Sequence, residues 1–281
     1  MSGPDTPLSG PFFVQRDSGD LWVILRYSAS LHGGMRVIAL FGDIHSNIQA
    51  LEACLEDAEA HGVTRYVFLG DFVGYGGDPG KVMAKIEAMV SDGAVAVKGN
   101  HDDMASDFDR EMNETAASAA NWTRHQLSKA QQKFLVSLPM VIEDEDRLYV
   151  HADASAPEKW RYVTDCASAQ LSLEGTQSRI VMCGHVHQPA IYGLASDGSI
   201  SRFVPADEAK VPLLSSRRWH VVLPSVGQPR DGNPLAGYGL YDTTSRQLEF
   251  RRLPYDIDGA AASIRAAGLP GRLADRLHVG R

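Results

Sequence analysis

Cysteine is scarce in this chain: Cys54, Cys166 and Cys183 are the three among 281 residues. Their number is odd, their spacings are wide and no C-x-x-C occurs. A disulfide framework is not expected, and reduced thiols in a cytoplasmic protein account for them. Long apolar runs are also lacking. No stretch approaches the roughly 20 residues that a membrane helix needs. The apolar run nearest the start, Leu21–Leu25, sits between Asp20 and Arg26. No basic segment leads into an apolar one at the N-terminus, so no secretory signal is expected. Positive charge is in short supply too: 27 Lys and Arg stand against 35 Asp and Glu, a net charge of −8. General binding to long nucleic acid is therefore not expected. The imbalance is uneven, since residues 201–281 hold 12 basic and 8 acidic side chains, or +4, and residues 1–200 carry −12. The basic C-terminal part reads as a solvated surface that could also help to attract an anion.

What is present is an ordinary globular composition, 44% hydrophobic and 22% charged, in a chain long enough for a substantial core. Residues 1–34 differ from the rest, being rich in Ser, Gly, Pro and Asp. They read as an N-terminal extension outside the core: a hairpin, a loose arm, or an extended start upstream of Met35. From Met35 the pattern alternates. Val37–Phe41 is a continuous apolar strand, and 47–61 reads as a helix with Ile48, Leu51, Leu55 and Ala58 on one stripe. Ser46 is its candidate N-cap and Gly62 its stop. A strand at 65–69, a helix at 80–90 and a strand at 95–98 complete a β-α-β-α-β run, which calls for parallel strands with right-handed crossovers. Residues 114–138 read as two helices broken near Leu127-Ser128. Further strands are expected at 147–151, 179–183, 191–194, 201–204, 220–223, 239–242 and 247–252, with a hairpin turn at Asp197-Gly198. A C-terminal helical tail, 254–281, is interrupted at Gly268-Leu269-Pro270. The expected fold class is α/β, with 35–253 as the main domain.

Five short segments follow apolar strands and carry metal-ligand chemistry: Gly42-Asp43-Ile44-His45, Gly70-Asp71, Gly99-Asn100-His101-Asp102, Val150-His151 and Gly184-His185-Val186-His187. In an open α/β sheet, ligands gather at the carboxyl ends of the strands. Each segment alone has a bland reading, such as an Asp capping a turn or an exposed strand end carrying two histidines. All five in this order point to a metal site. Imidazole nitrogens mixed with carboxylate oxygens suit manganese, iron or zinc better than calcium or magnesium. In Asp43-x-His45 and His185-x-His187, alternate residues past a strand end are expected to point to one side.

These segments resemble the calcineurin-like metallophosphoesterases, whose pattern runs D-x-H, G-D, G-N-H-[DE], H and G-H-x-H. The resemblance spans about residues 35–250. It implies a four-layer α/β/β/α sandwich with mixed sheets. It also implies that Asp43, His45, Asp71 and His187 hold one metal ion and Asp71, Asn100, His151 and His185 a second, the Asp71 carboxylate bridging. The two divalent ions are expected to be manganese, with iron, zinc, cobalt or nickel as alternatives. The implied activity is hydrolysis of a small-molecule phosphate ester, monoester or diester and plausibly a nucleotide, through in-line attack by a hydroxide that both ions share. His101 would face the substrate and stabilise charge or donate a proton to the leaving group. Asp102 reads equally as a residue orienting His101 and as a turn cap.

Gly74-Tyr75-Gly76 stands where serine/threonine protein phosphatases usually carry Asp-Arg-Gly, so the resemblance lies with the prokaryotic phosphodiesterase-like branch. The loop 225–232 is also similar to that branch, and its Arg230 either reaches a second phosphate or is an exposed turn residue. Two positions depart from the family pattern: Asp153, two residues after His151, and Val186, where Thr is frequent. Trp122, Trp160 and Tyr162 are candidates for a base-binding pocket or for plain packing. Alternative functions are a dinucleoside-polyphosphate hydrolase, a nuclease, and a metal-poor interaction scaffold of the same fold.

Overall fold

The computed structural model describes residues 12–15, 21–25, 37–106 and 114–281. In chain order the strands and helices are β1 (Phe12–Gln15), β2 (Leu21–Leu25), β3 (Val37–Phe41), α1 (Ile48–Ala60), β4 (Arg65–Phe68), α2 (Pro79–Ser91), β5 (Val95–Ala96), α3 (Asn100–Ser106), α4 (Glu114–Gln126), α5 (Lys129–Ser137), β6 (Val141–Asp144) and β7 (Arg147–Val150). There follow α6 (Cys166–Glu174), β8 (Ile180–Cys183), β9 (Ala190–Ala195), β10 (Ile200–Phe203), β11 (Val211–Pro212), β12 (Arg217–Val222), β13 (Ala236–Asp242), β14 (Gln247–Leu253), α7 (Ile257–Ala266) and α8 (Gly271–Asp275).

Two mixed sheets form, in the orders β1-β2-β6-β7-β8-β12-β9-β10 and β11-β14-β13-β3-β4-β5. The expected parallel run is β3-β4-β5, joined through α1 and α2. The period-2 alternation of these strands divides their side chains between two cores. Ala39, Phe41 and Phe68 face α1 and α2, where they meet Leu51, Leu55, Val82 and Ile86. Ile38, Leu40, Val67 and Leu69 face the other sheet, where they meet Tyr149, Ile180, Met182 and Val221. On the far side of that sheet, Leu148, Val181, Cys183 and Val222 pack against Ala169 and Leu173 of α6. The result is the expected helix, sheet, sheet, helix sandwich.

Local differences have local causes. The N-cap of α1 is Asn47, not Ser46: the Asn47 side chain accepts from the Ala50 N–H at 3.1 Å, while Ser46 is in the left-handed region. The break between α4 and α5 falls as expected, because Ser128 and Gln131 form a capping box. Four elements had no expectation, β6, α3, α6 and the two-residue β11. β6 is the partner strand that makes a hairpin with β7. In the first 34 residues, β1 and β2 pair antiparallel and β2 runs parallel to β6. The remainder of that extension lies outside the described residues. At the other end, α7, α8 and the 3-10 turn that follows them bury Ala261, Ile264, Leu273 and Leu277 in a separate cluster against Tyr75 and Trp122.

Candidate metal centre

The five motif segments meet where β3, β4, β5, β7 and β8 end. The structure brings Asp43, His45, Asp71 and His187 together with their ligand atoms all within 4.8 Å of one another, and Asp71, His151 and His185 in the same way. Asp71 belongs to both groups. Its Oδ2 lies 3.6 Å from His45 Nε2 and 3.3 Å from His151 Nε2. The Asn100 carbonyl oxygen joins the second group, 3.0 Å from His151 Nε2. The carboxylates and histidines of both groups are at least 95% buried.

The backbone reaches this arrangement through conformations that side chains other than glycine rarely adopt. Asp43, His45, Asp71, His185 and His187 all have positive φ, between 48° and 67°. Each such residue costs of order 1–3 kcal/mol and persists only where its surroundings enforce it. Same-side presentation therefore comes from left-handed turns, not from strand alternation as expected. It holds for Asp43 and His45; His185 and His187 serve different groups. Close backbone approach is also required. A Cβ on Gly99 would lie 2.2 Å from the Asp71 backbone nitrogen and carboxylate, so only glycine fits there.

The hydrogen bonds assign the tautomers. A carbonyl oxygen can only accept, so a ring nitrogen bonded to one carries the proton. His45 Nδ1 donates to the Val73 carbonyl (3.0 Å), His187 Nδ1 to Gln228 (2.6 Å), His151 Nδ1 to Leu69 (2.7 Å) and His185 Nε2 to Trp160 (2.9 Å). All four rings thus turn their other nitrogen inward. His45 Nε2 and His187 Nε2 face each other at 3.1 Å, as do His151 Nε2 and His185 Nδ1. Two imidazole lone pairs this close repel unless a cation stands with them. Outward N–H bonds to carbonyls are also the arrangement that fixes ring orientation in metal-ligating histidines.

Electrostatics point the same way. Burial holds His45 and His187 well below the ordinary histidine range, and burial with the neighbouring His151 takes His185 down to about 3. Burial opposes ionisation of Asp71 as well, but His151 and His101 beside it win and hold its carboxyl well below the usual range. For His151, burial opposes protonation and the Asp71 carboxylate prevails, raising it to about 9. A proton on His151 thus occupies the place that a cation would take, and ion binding would release it.

Asp102 requires a correction as an orienting residue for His101. Its Oδ2 accepts from the N–H groups of Asp71 (2.8 Å) and Gly99 (2.9 Å), and its Oδ1 from Phe72 (2.9 Å) and Val73 (3.3 Å). The carboxylate ties the Asp71 loop to the start of α3, and its acceptor sites are spent on backbone. His101 is held otherwise. Its backbone N–H donates to Asp71 Oδ1 at 2.8 Å, and its ring packs 4.4 Å from Tyr75 and 4.9 Å from His45, centroid to centroid. A Cβ on Gly74, whose φ is +89°, would lie 2.7 Å from His101 Nδ1, so the glycine makes room for the ring. Tyr75 is a site residue that the sequence reading did not single out; the signal was its place between two glycines just after Asp71.

The loop 225–230 is strapped to the first motif. Ser225 Oγ donates to the Asp43 carbonyl (2.9 Å), the Gly227 N–H to the same carbonyl (2.9 Å), and Asn47 Nδ2 to the Gly227 carbonyl (3.0 Å). This strapping presents the Gln228 carbonyl to His187 and carries Arg230 to the site. The Arg230 guanidinium lies 5.7 Å over the Tyr75 ring and donates to Gln228 Oε1 at 2.9 Å. Asp153 faces away from the ligands: it accepts from the Ser155 N–H (2.9 Å) and hydroxyl (2.7 Å) and lies 3.6 Å from Arg161. Trp122 packs against the C-terminal helices, whereas Trp160 and Tyr162 border the ligands, 5.7 Å from His151 and 4.1 Å from His185.

Comparison with known proteins gives the family and the fold. Residues 35–246 match the Calcineurin-like phosphoesterase superfamily domain. An uncharacterized protein of Methanocaldococcus jannaschii is 32% identical over 251 residues, which span 87% of this chain and 98% of that one. The crystal structure of a metallophosphoesterase from Sphaerobacter thermophilus superposes with a TM-score of 0.79 at 31% identity, covering 88% of this chain and 100% of the other. A hypothetical protein from Pyrococcus horikoshii shares the fold, with a TM-score of 0.70 at 18% identity, covering 88% and 99%. The chain belongs to the calcineurin-like phosphoesterase superfamily and is a metal-dependent hydrolase of phosphoric esters.

Proposed function

We propose that the protein hydrolyses a small-molecule phosphate ester, a diester or monoester such as a nucleotide, at a dinuclear centre with manganese as the first candidate metal. One observation carries this reading: four buried imidazoles turn their second ring nitrogen inward, in two facing pairs at 3.1 Å, around the carboxylate of Asp71 that both groups share. Asp43, His45, Asp71 and His187 would hold one ion, and Asp71, Asn100, His151 and His185 the other. Two such ions supply an acidified water as nucleophile and neutralise charge on phosphate oxygens. Asn100 contributes a neutral oxygen and so limits the negative charge of the donor set. His101, held between His45 and Tyr75, hydrogen-bonds a phosphate oxygen or passes a proton to the leaving oxygen. Arg230, fixed over Tyr75, receives a second anionic group of the substrate. Asp102 and the four N–H groups it binds keep the Asp71 loop in register.

Residues 35–253 would form the catalytic domain, with 1–34 appended and 254–281 as a supporting tail. No described helix is long and apolar enough to cross a membrane, and the reduced thiols fit a cytoplasmic setting.

The test strips metal with a chelator, restores Mn²⁺, and compares turnover of bis-p-nitrophenyl phosphate with p-nitrophenyl phosphate. Metal-dependent turnover that Asp71→Asn abolishes is expected, and the preferred ester separates diesterase from monoesterase. Folded, metal-loaded protein inert towards both esters and towards a panel of nucleotides would overturn the reading.

A further inference from the structure

Tyr162 is an unusual surface residue. It is 54% exposed, among the most open of the large side chains with apolar character. Yet its ring lies flat against His185, with centroids 4.1 Å apart and an interplanar angle of 15°. The loop that delivers it is anchored on both sides of the ligand shell. Trp160 takes a left-handed turn at φ 51°, accepts the His185 Nε2 proton on its carbonyl and sets its indole edge-on to His151. Arg161 pairs with Asp153. An aromatic ring is therefore held at the rim of the site, stacked on a ligand imidazole, with more than half its surface open to solvent. Aromatic faces presented in this way stack on nucleobases, and the contact tolerates any base.

The position of the ring carries further information. Tyr162 belongs to the His151/His185 half of the site. Arg230, over Tyr75, belongs to the half of His45 and His187, and its backbone N–H donates to the His187 carbonyl at 3.2 Å. The two halves meet at Asp71. A ligand whose phosphate lies over Asp71 thus has a flat aromatic surface on one flank and a guanidinium on the other.

We propose that Tyr162 is the platform on which the base of a nucleotide substrate stacks, which makes nucleoside phosphates, not sugar or alkyl phosphates, the substrate class. The proposal rests on the phosphoesterase reading above and names the substrate of that same site. The base lies on the His185 side, and any second phosphate lies towards Arg230.

The test is calorimetric titration of the full-length, Mn²⁺-loaded protein with two phosphonate analogues whose P–C bond cannot be hydrolysed, one of AMP and one of ribose 5-phosphate. The wild type is expected to bind the adenosine analogue roughly tenfold or more tightly than the ribose analogue, the range of base–aromatic stacking. Tyr162→Ala removes that preference without weakening the ribose analogue, and Tyr162→Phe keeps it. No preference in the wild type, or a preference that survives Tyr162→Ala, overturns the proposal. Equal weakening of both analogues in Tyr162→Ala also overturns it, because Tyr162 would then serve only to position His185. Failure of both analogues to bind metal-loaded protein would count against the phosphoesterase reading beneath the proposal and would remove both.

Discussion

The two ends of the central strands treat buried charge in opposite ways. At the amino end of β4 and β7, the Asp144 carboxylate is fully buried and surrounded by cations. Its Oδ2 accepts from Arg65 (2.8 Å), from Arg147 (3.1 Å) and from the Tyr149 hydroxyl (3.0 Å). Asp146 nearby takes Arg179 at 2.7 Å and Arg246 at 3.1 Å. At the carboxyl end, Asp43 and Asp71 are equally buried, but the groups turned towards them are imidazole nitrogens, three of whose rings burial holds neutral. One end neutralises its acids within the protein. The other end collects acids and lone pairs, and it does so on five left-handed residues. The first arrangement serves stability. The second is tolerable only as a place for cations, and its strain marks the functional end.

His101→Ala sharpens the comparison most. It removes a group that faces substrate and leaves the ligands in place. Turnover should fall roughly 10²- to 10⁴-fold while bound metal, measured on desalted protein, stays unchanged. Metal lost along with activity would make His101 part of the ligand shell and blur the distinction between the two.

Asp144→Ala probes the opposite end. It takes the fully buried carboxylate from Arg147, which is 4% exposed and keeps the more open Glu145 at 2.6 Å and Asp146 at 3.7 Å, so the cost should lie at or below the roughly 3–5 kcal/mol of breaking an isolated buried pair. Urea unfolding should show that loss, while the turnover of the protein that remains folded is unchanged. An altered rate constant would mean that the two ends are coupled.

The smallest effect concerns a histidine that belongs to neither end. His220, on β12 beneath α6, is fully buried and bonded at 3.0 Å to Ser172 Oγ. Burial takes it from its ordinary 6.5 down to about 4. Above pH 6.5 both folded and unfolded chains hold it neutral, and no stability is lost. Between 6.5 and 4 the unfolded chain takes up a proton that the folded one refuses, so stability falls as pH falls. The loss reaches about 3 kcal/mol by the lower limit. His220→Gln should flatten the stability profile in that window relative to the wild type; parallel profiles would contradict the assignment.

Much of this was legible in sequence because it is local. The apolar run of Val37–Phe41, the stripe of Ile48, Leu51 and Leu55, and the break at Ser128 are short-range patterns, and the structure follows them. The candidate ligands were legible because each follows a strand that ends in one place. What escaped depends on contacts distant in sequence or on elements with little pattern. α3 has seven residues and no apolar period, and α6 buries only Ala169, Ser172 and Leu173 of its nine. The role of Asp102 rests on N–H groups about 30 residues away. Spacing could not reveal that the carboxylate turns to the backbone and away from the adjacent histidine. Nor could it show that left-handed φ, rather than strand alternation, directs Asp43 and His45 into one pocket. Tyr162 gave no signal beyond being aromatic, because its stacking on His185 follows from the Trp160 turn.

The central claim is that the carboxyl end is built for two cations sharing Asp71. Metal content measures this most directly: load the chelator-stripped protein with Mn²⁺, desalt it, and count metal per chain for wild type and Asp71→Asn. The account predicts two ions in the wild type and fewer in Asp71→Asn, with both proteins folded. A folded wild type that retains no metal, or an Asp71→Asn protein that retains two, would contradict it.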